Sequence, residues 1–431
     1  MTRSIDKDLD RIQKEAFKFF VREYNPTKGL VRDKSDNHSP ASIASIGLAL
    51  GTYIVAVERG FMKRAEALKR CAAAVTFFGE SDQSEKVDAT GRNGFYYHFL
   101  DFESGRRTWE SELSTIDTGL LLLGMLVVAE YFSNDTGKER ELRERILEIY
   151  SRVEWNWACN RSLTLSHGYK PARGFLKYRW RGYNEGLLLY ILGLGAPEHS
   201  LKPKSYQAWT ETYQWKRIYD YEFLYAGPLF IHQFPHIWID FRRMPDEYMA
   251  RKAMDYFENS RRATYVQREY CQRNPRGFRN YSGENWGITA SDGPGPATRK
   301  INGRQHRFFG YRARGVPYGP DDGTLSPWAA ITSLPFAPEI VLPTIERLFH
   351  KRVDKYAKYG FAASFNPSFV CSRPPYRWES PHHFGLNQGP LILMIENYRS
   401  GLLWRLARQC QPIARGLRRA GFSGAWLPAK E

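Results

Sequence analysis

The sequence predicts an all-α fold, an (α/α)6 toroid in which a double ring of helices carries aromatic-rich loops over a cleft. Three observations support this prediction. Apolar residues recur at helical spacing in roughly a dozen stretches along the 431 residues. Loops rich in aromatic residues, Gly, Asp and Asn separate these stretches, and no heptad or short repeat is sustained.

The predicted helices follow one another along the chain without a linker. The clearest of the periodic stretches are residues 9–20, 42–57, 64–78, 114–132, 139–153, 184–194, 245–270, 326–349 and 389–406. Short Tyr-rich segments at 95–99 and 174–179 are predicted to form hairpins over the mouth of the toroid. Because no low-complexity tract or change in composition interrupts this pattern, we expect residues 1–431 to form a single domain.

The chain is basic, with a formal net charge of +17. Such an excess favours anionic partners, but nucleic-acid proteins usually concentrate Lys and Arg on one helix or arm. Here the short runs at 351–352 and 415–419 are scattered. We therefore interpret most of these charges as a solvated surface and expect no specific nucleic-acid partner.

The location of the protein is predicted from its apolar and N-terminal segments. The longest apolar run, residues 120–129, is shorter than the ~20 residues that a membrane-spanning helix needs, so we expect no membrane span. Residues 1–20 contain acidic residues and helical periodicity instead of the pattern of a signal peptide. We expect a cytoplasmic location, or a periplasmic one if the N-terminus was trimmed.

Glu185 is the first candidate catalytic residue, because it lies directly before an unbroken apolar stretch. An acidic residue in the first turn of a helix is stabilised by the helix dipole, which is a purely structural explanation. The functional explanation is a general acid, because a carboxyl group close to Trp180, Tyr183 and aliphatic side chains is desolvated and keeps its proton near neutral pH. The residues alone leave both explanations open.

Asp117 is a second carboxylate in apolar surroundings. It follows the candidate caps Ser114 and Thr115 on a helix whose remaining positions are strongly apolar. A lone acid that faces an apolar core is costly unless it is paired or hydrogen-bonded. A polar sugar-binding cavity would solve this, although the pattern by itself favours an Asp satisfied by Arg or by backbone amides.

Asp321 and Asp322 occur in a turn, residues 318–324, that leads directly into an apolar helix. Adjacent aspartates in such a loop are usually turn formers. One of them is nevertheless a candidate for activating a water, because a glycosidase needs a proton donor and a second carboxylate on opposite sides of an oxocarbenium-like transition state.

His232 and His236 have the i, i+4 spacing of metal-binding histidines. Pro235 lies between them and no H-E-x-x-H pattern is present, so we expect no metal site. With Trp238 and Arg242 close in sequence, we interpret them as donors to sugar hydroxyls along a cleft. The 12 Trp and 26 Tyr fit this interpretation, because sugar rings stack on aromatic side chains.

Several long motifs, taken in order, carry a family resemblance. They are residues 114–117, 183–187 with 195–197, 236–240, 286–294, 318–324 and 384–390. Through them nearly the whole chain resembles the bacterial family that was first catalogued as glucoamylase-like and is known for endo-β-1,2-glucanases. It is also similar to the cyclising domain of cyclic β-1,2-glucan synthases.

The resemblance implies an (α/α)6 toroid, hydrolysis of linear β-1,2-glucan to short sophoro-oligosaccharides, an inverting mechanism and no cofactor. It makes Glu185 the acid, with Asp322 or Asp321 as the base. The other residues that we take as substrate-binding are Asp117, Glu112, Tyr183, His232, His236, Trp238, Arg242, Trp286, Asp292, Tyr318 and Asn387. The alternatives are a retaining transglycosylase and a non-catalytic glycan-binding protein on the same fold.

Overall fold

Helices are the main elements of the structure, a computed structural model that describes residues 3–301, 303–350 and 358–427. They are α1 Arg3–Arg22, α2 Ile43–Glu58, α3 Arg64–Glu80, α4 Thr115–Tyr131, α5 Gly137–Ser151, α6 Trp155–Ala158, α7 Leu187–Gly195, α8 Pro203–Thr210, α9 Phe234–Trp238, α10 Glu247–Arg251, α11 Tyr256–Arg273, α12 Pro327–Thr332, α13 Pro338–His350, α14 Gly385–Arg399, α15 Leu402–Gln409 and α16 Gln411–Arg419. No helix in these ranges is both long and apolar enough to span a membrane.

Short strands occur between the helices, so the fold is rich in helix but not all-α. They are β1 Ala41–Ser42, β2 Gly91–Arg92, β3 Phe95–Tyr97, β4 Phe99–Leu100, β5 Leu113–Ser114, β6 Gly168–Lys170, β7 Gly174–Phe175, β8 Trp215–Ile218, β9 Tyr221–Leu224, β10 Ala290–Ser291, β11 Ala297–Ile301, β12 Arg304–Phe308, β13 Arg312–Ala313, β14 Phe365–Val370 and β15 Arg377–Glu379. Strands β2, β3, β5, β6 and β7 form one five-stranded antiparallel sheet, and the others pair in twos.

Both predicted segments take part in hairpins. In the segment at 95–99, β3 pairs with the preceding β2, and β4 pairs with β1 in another sheet. The segment at 174–179 contributes β7, which pairs with the preceding β6. These strands join segments that are far apart in sequence, such as β5 with β6. Local residue patterns do not encode such pairings.

Three predicted helices are broken in two. The stretch 245–270 becomes α10 and α11, with Ala253 at a positive φ of 50° between them. The stretch 326–349 becomes α12 and α13, and Pro338 begins the second helix, where a missing N–H costs nothing. The stretch 389–406 becomes α14 and α15, separated at Gly401, whose φ of 67° favours glycine.

Six helices are buried over most of their length and form the centre of the core: α2, α4, α7, α9, α12 and α14. Helix α14 packs against α1, α2 and α12, while α4 packs against α2 and α7. Helices with a polar side, such as α1, α3 and α5, lie beside them. The apolar runs of the sequence are therefore core helices.

The contact between α2 and α4 requires glycine on both helices. A Cβ atom on Gly124 would lie 2.1 Å from the carbonyl oxygen of Gly47, and one on Gly47 would lie 2.3 Å from the carbonyl oxygen of Leu120. Both obstacles are backbone atoms, which cannot move aside as a flexible side chain can. These two helices approach as closely as their backbones allow.

This contact gives a stability prediction. We expect Gly124→Ala to lower the free energy of unfolding by about 1–3 kcal/mol or more, because an added methyl group overpacks the α2–α4 contact. Gly137→Ala is the matched control, because a Cβ there meets nothing within 4 Å and alanine is the better helix former. Urea unfolding measures both, and equal midpoints for the two variants would contradict the packing argument.

Candidate active site

A cavity of 260 Å³ lies where several loops meet the N-terminal end of α14. The polar residues that line it are Asp33, His98, Ser291, Asp292, Tyr311 and Asn387, with Phe99, Ala290, Phe384 and Leu386 as the apolar part. Asp292 and Asn387 were predicted as substrate-binding residues, and both line this cavity. Asp33, His98 and Tyr311 were not predicted.

Asp117 lies beside this cavity at the N-terminal end of α4. Ser114, the N-cap of α4, accepts a hydrogen bond from the Asp117 amide at 3.2 Å, and its hydroxyl donates to the Asp117 carboxylate at 2.5 Å. The carboxylate is thus oriented by its own helix cap. Polar partners therefore compensate for the burial of the Asp117 carboxylate. Both explanations considered for this residue, a polar cavity and a structural hydrogen-bonded Asp, required such partners.

His98 bridges two carboxylates at the cavity wall. Its Nδ1 lies 2.9 Å from Oε1 of Glu112, and its Nε2 lies 3.6 Å from Oδ2 of Asp117. Burial alone lowers the pKa of His98, but the two carboxylates outweigh it and raise the pKa to about 9. The imidazole is therefore charged at neutral pH and partly balances the acidic groups around it.

Asp33 has an altered proton affinity in the same cavity. Burial raises the pKa of Asp33 to about 6, against the opposing charges of His98 and Lys34. The nearby carboxylates of Asp117 and Asp292 contribute in the same direction as burial. Like charges so close together favour protonation of one of them.

Glu185 lies in the segment before α7, where Leu188 donates a backbone hydrogen bond to its carbonyl oxygen. Burial raises the pKa of the Glu185 carboxyl to about 7, and the charge of Asp117 contributes to this shift. Within the described ranges, no residue other than Glu185 itself donates a hydrogen bond to its side-chain carboxyl group. Glu185 thus has the properties predicted for a general acid, a half-buried carboxyl that retains its proton near neutral pH.

Trp180 connects the Glu185 segment to the start of α4. Its Nε1 donates to Oγ1 of Thr115 at 2.9 Å, and its ring stacks on His167 with 3.9 Å between centroids. A Cβ atom on Gly186 would lie 3.1 Å from the Trp180 ring, so the segment packs directly on it. This packing brings Glu185 close to Asp117.

Tyr311 lies near four carboxyl groups. Its side chain is largely exposed, and desolvation together with the charges of these acidic groups raises the pKa of Tyr311 to about 12. Those groups are Asp33, Asp292, Asp117 and Glu185. Asp292 accepts one further hydrogen bond, from the Ser380 hydroxyl at 3.3 Å.

Asp322 does not reach the cavity, which corrects its assignment as a candidate base. Its carboxylate is fully buried and pairs with Arg314 at 2.7 Å and 2.8 Å. It also accepts from the backbone amides of Phe309 and Thr324, and the pKa of Asp322 is lowered because these interactions outweigh its burial. A carboxylate with all its lone pairs occupied inside the protein cannot activate a water.

Asp321 is also held in the interior. It accepts hydrogen bonds from the hydroxyl groups of Tyr270 and Tyr281 at 2.9 Å and 2.7 Å, and from the amide of Gly323. The predicted turn exists, but both of its aspartates are structural. The sequence pattern could not show this, because Arg314, Tyr270 and Tyr281 come from other segments.

Five further predicted substrate-binding residues are core residues. Tyr183, His232, His236, Trp238 and Trp286 are all buried. His236 contacts Ser260 Oγ at 3.0 Å, His232 contacts the Ala226 carbonyl, and Trp286 donates to Thr344 Oγ1 at 3.0 Å. Burial lowers the pKa of His232 to about 4 and that of His236 to about 3, so both histidines are neutral.

Arg242 and Tyr318 lie outside the cavity lining as well. Arg242 forms a two-point ion pair with Asp240 and stacks on Trp404 at 4.5 Å. Tyr318 is exposed and contacts Tyr225 and Lys216. Glu112, in contrast, reaches the site through His98. Of the predicted residues, Glu185, Asp117, Glu112, Asp292 and Asn387 are the ones that the structure brings together.

The missed residues gave weak signals in the sequence. His98 stands in a Tyr-rich strand segment, which resembled an ordinary hairpin, and Asp33 is one of several charged residues in a loop. Tyr311 is one of 26 tyrosines. Their shared position depends on long-range packing, for example the pairing of Lys34 with Phe384 and of β10 with β13.

The burial of Asp322 gives a second prediction. We expect Asp322→Asn to destabilise the protein by about 3–5 kcal/mol, because it leaves the Arg314 guanidinium buried without its counter-charge. Glu284→Gln is the control, since it removes a surface ion pair with Arg347 and is expected to cost at most about 1 kcal/mol. Equal thermal unfolding midpoints for Asp322→Asn and the wild-type protein would contradict the structural role.

The raised pKa of Glu185 gives a third prediction, on stability and pH. The folded pKa of about 7 exceeds the ordinary 4.5, so the folded state binds the proton more tightly than the unfolded state. The wild-type protein therefore loses stability as the pH rises from about 4.5 through 7. Glu185→Gln has no such loss, and we expect it to be more stable than wild type at pH 8, by up to about 3 kcal/mol.

Urea unfolding at pH 5 and pH 8 measures this difference. The exposed Glu103 provides the control, because Glu103→Gln should change stability equally at both pH values. A Glu185→Gln protein whose stability follows that of wild type over the whole pH range would show that Glu185 is not enclosed as described.

Comparisons with known proteins agree with this architecture. A curated relative, the exo β-1,2-glucooligosaccharide sophorohydrolase (non-reducing end) of Parabacteroides distasonis, is 25% identical over 448 residues. The alignment covers 95% of this chain and 57% of the relative, so the chain spans little more than half the length of that protein.

Two solved structures share the fold. The endo-β-1,2-glucanase of Chitinophaga pinensis, in complex with sophorotriose and glucose, has a TM-score of 0.85 and 26% identity, covering 99% of this chain and 100% of that one. The β-1,2-glucanase of Parabacteroides distasonis has a TM-score of 0.84 and 23% identity, covering 98% of this chain and 60% of that one.

The family comparison covers more than half of the chain. The family described as "Putative glucoamylase" matches residues 177–411, a range that includes Glu185, Asp292, Tyr311 and Asn387. The predicted resemblance is confirmed, and the chain belongs to the Glycoamylase family.

Proposed function

We propose that this protein is a glycoside hydrolase that cleaves β-1,2-glucan, with Glu185 as the general acid. The observation that carries the proposal is the Glu185 carboxyl, whose pKa of about 7 lets a substantial fraction keep its proton at neutral pH near a cavity lined by carboxylates. The substrate class is supported by relatives that are named for β-1,2-glucan or its oligosaccharides. The cavity offers both carboxylates and an aromatic side chain, Phe99, as a sugar site requires.

In the proposed reaction, Glu185 donates its proton to the glycosidic oxygen, directly or through a water or substrate hydroxyl. Positive charge then develops on the sugar ring, and the carboxylates around Tyr311 stabilise it. His98 stays protonated and pairs with Glu112 and Asp117, so it limits the repulsion between these groups. No step needs a cofactor.

We propose Asp292 as the base that activates water, in place of Asp321 and Asp322. Asp292 lines the cavity, and one of its two oxygens accepts from Ser380. Asp117 is a weaker candidate, because it is not among the residues that line the cavity, and both the hydroxyl of Ser114 and the ring of His98 contact its Oδ2. An inverting mechanism with water between Asp292 and the sugar follows from this assignment.

We also propose that the helices form an (α/α)6 toroid in a single domain of residues 1–431. The order of helices along the chain supports this arrangement, because buried helices alternate with helices that have an exposed side. The buried set is α2, α4, α7, α9, α12 and α14, and the partly exposed set is α1, α3, α5, α8, α11 and α13. One apolar cluster runs from Ile5 to Leu427. The cytoplasmic location and the lack of a specific nucleic-acid partner stay predictions.

The catalytic test uses linear β-1,2-glucan with chromatography of the products. We expect Glu185→Gln to lower kcat by about 10²–10⁴-fold while substrate binding is retained, because glutamine keeps the shape but has no proton to donate. Asp292→Asn should have a similar effect if it is the base. In the wild-type protein kcat/KM should fall as the pH rises through about 7, where Glu185 loses its proton.

Glu284→Gln serves as the matched control, because Glu284 is bound to Arg347 at the surface. The configuration of the new reducing end, followed by NMR, tests the mechanism: inversion is expected, and retention with longer products would indicate a transglycosylase. Full activity of Glu185→Gln would refute the assignment of the acid, and binding without any cleavage by the wild-type protein would indicate a glycan-binding protein.

A further inference from the structure

A basic hairpin borders the acidic cavity. Strands β11 and β12 pair in register from Ala297 with Phe308 to Ile301 with Arg304, and the chain continues through Phe309 to Tyr311 in the cavity wall. Arg307 and Arg312 lie on either side of this segment, and both are exposed. Two exposed positive charges therefore lie next to the site just described.

The hairpin has one face that packs on the protein and one that faces outward. Arg299 donates to the Val370 carbonyl at 2.7 Å and stacks on Phe369, while His306 packs on Phe278. Arg299 and His306 are directly opposite each other in the register, so they share the packed face. Arg307, opposite Thr298, is one residue out of phase and belongs to the outward face.

Arg307 and Arg312 meet at the ring of Phe309. Each guanidinium carbon lies 5.5 Å from the centroid of this ring. In the part of the chain that the structure describes, neither guanidinium forms an ion pair or hydrogen bond with a carboxylate. Stacking orients the two groups and leaves their N–H donors available.

The backbone of Phe309 is held in place by three hydrogen bonds. The Phe309 amide donates to the buried Asp322 carboxylate at 2.9 Å, and its carbonyl accepts from Arg314 at 3.2 Å and from the Gly295 amide at 2.9 Å. Phe309 thus has a backbone fixed by the buried ion pair. A fixed platform lowers the entropy cost of ordering two arginines around a ligand.

Arg312 is adjacent to residues that line the cavity. In the register of β10 and β13 it is paired with Ser291, which lines the cavity together with Asp292, and it follows Tyr311 directly in the chain. A chain of sugar units that leaves the cavity on this side passes the two guanidinium groups. Planar guanidinium groups with free donors recognise carboxylate and phosphate oxygens.

We infer that Arg307 and Arg312, stacked on Phe309, bind an anionic substituent, a carboxylate or a phosphate, carried by the glucan chain whose neutral part occupies the cavity. The inference rests on the proposed function, because the glucan in the cavity brings the anionic group to this position. It assigns to the enzyme a preference for acidic over neutral glucan of the same length. Attraction between the charges should weaken with added salt.

The test compares linear β-1,2-glucan with the same glucan bearing a few chemically added succinyl half-esters. Binding is measured by calorimetry in the Glu185→Gln protein, so that the ligand is not consumed, at low and high salt. We expect the succinylated glucan to bind roughly three- to tenfold more tightly at low salt, the size expected for one or two exposed ion pairs. Replacing both Arg307 and Arg312 by Gln should reduce this ratio to one.

Arg304→Gln is the matched control, because Arg304 is exposed in the same hairpin and should keep the ratio. Equal binding of both glucans to the protein with all three arginines, or an equal loss in Arg304→Gln, would overturn the inference. The inference would also be overturned if free succinate bound as tightly as the succinylated glucan. Failure of the proposed function is distinguishable, because then the wild-type protein would not cleave the neutral glucan.

Discussion

The buried ion pair between Arg314 and Asp322 is the interaction on which the geometry of the site depends. Removing two charges from water costs several kcal/mol per ion unless hydrogen bonds compensate. Arg314 obtains this compensation from Asp322 and from the carbonyl oxygens of Ser291, Phe309 and Gly310. These carbonyls belong to the two segments that carry Asp292 and Tyr311, so one buried arginine sets the position of both cavity walls.

The acidic cavity itself is costly for folding. The four carboxyl groups whose charges act on Tyr311 repel one another, and burial adds to the cost. Protons on Glu185 and the positive charge of His98 reduce this repulsion near neutral pH. Active sites commonly retain such destabilising arrangements because the reaction requires them. The proton on Glu185 lowers the repulsion between the carboxyl groups. In the proposed reaction it is also the proton that is transferred to the glycosidic oxygen.

The excess of positive charge has a partly structural explanation. Arg415 donates to the carbonyl of Gly195 and Arg419 to that of Leu194, which satisfies oxygen atoms at the C-terminal end of α7. Arg419 also donates to the carbonyl of Leu201 in the segment after this helix. A scattered run such as 415–419 is therefore not only a solvated surface. The buried C-terminal end of an apolar helix needs donors, and long arginine side chains supply them from a neighbouring helix.

Sequence patterns alone determined the dominance of helix and the apolar core helices, and they marked Glu185 as a candidate acid whose role stays a prediction. These features depend on local properties: apolar periodicity, helix caps such as Ser114, and a carboxyl group placed before an apolar run. The family motifs added the substrate class. Sequence patterns did not predict most of the strands, the extent of each sheet or the breaks within three long helical stretches. Packing against distant segments overrides local preference at these places.

Only the tertiary structure decided which acidic residues are catalytic candidates and which are structural. Asp117 and Asp322 are hard to distinguish in sequence, since both lie next to apolar helical stretches. Asp117 borders a cavity and faces His98, whereas Asp322 faces Arg314 in the interior. The difference lies in partners that come from distant segments of the chain. The role of a carboxylate depends on solvation and neighbouring charge, and both are properties of the folded arrangement rather than of the local sequence.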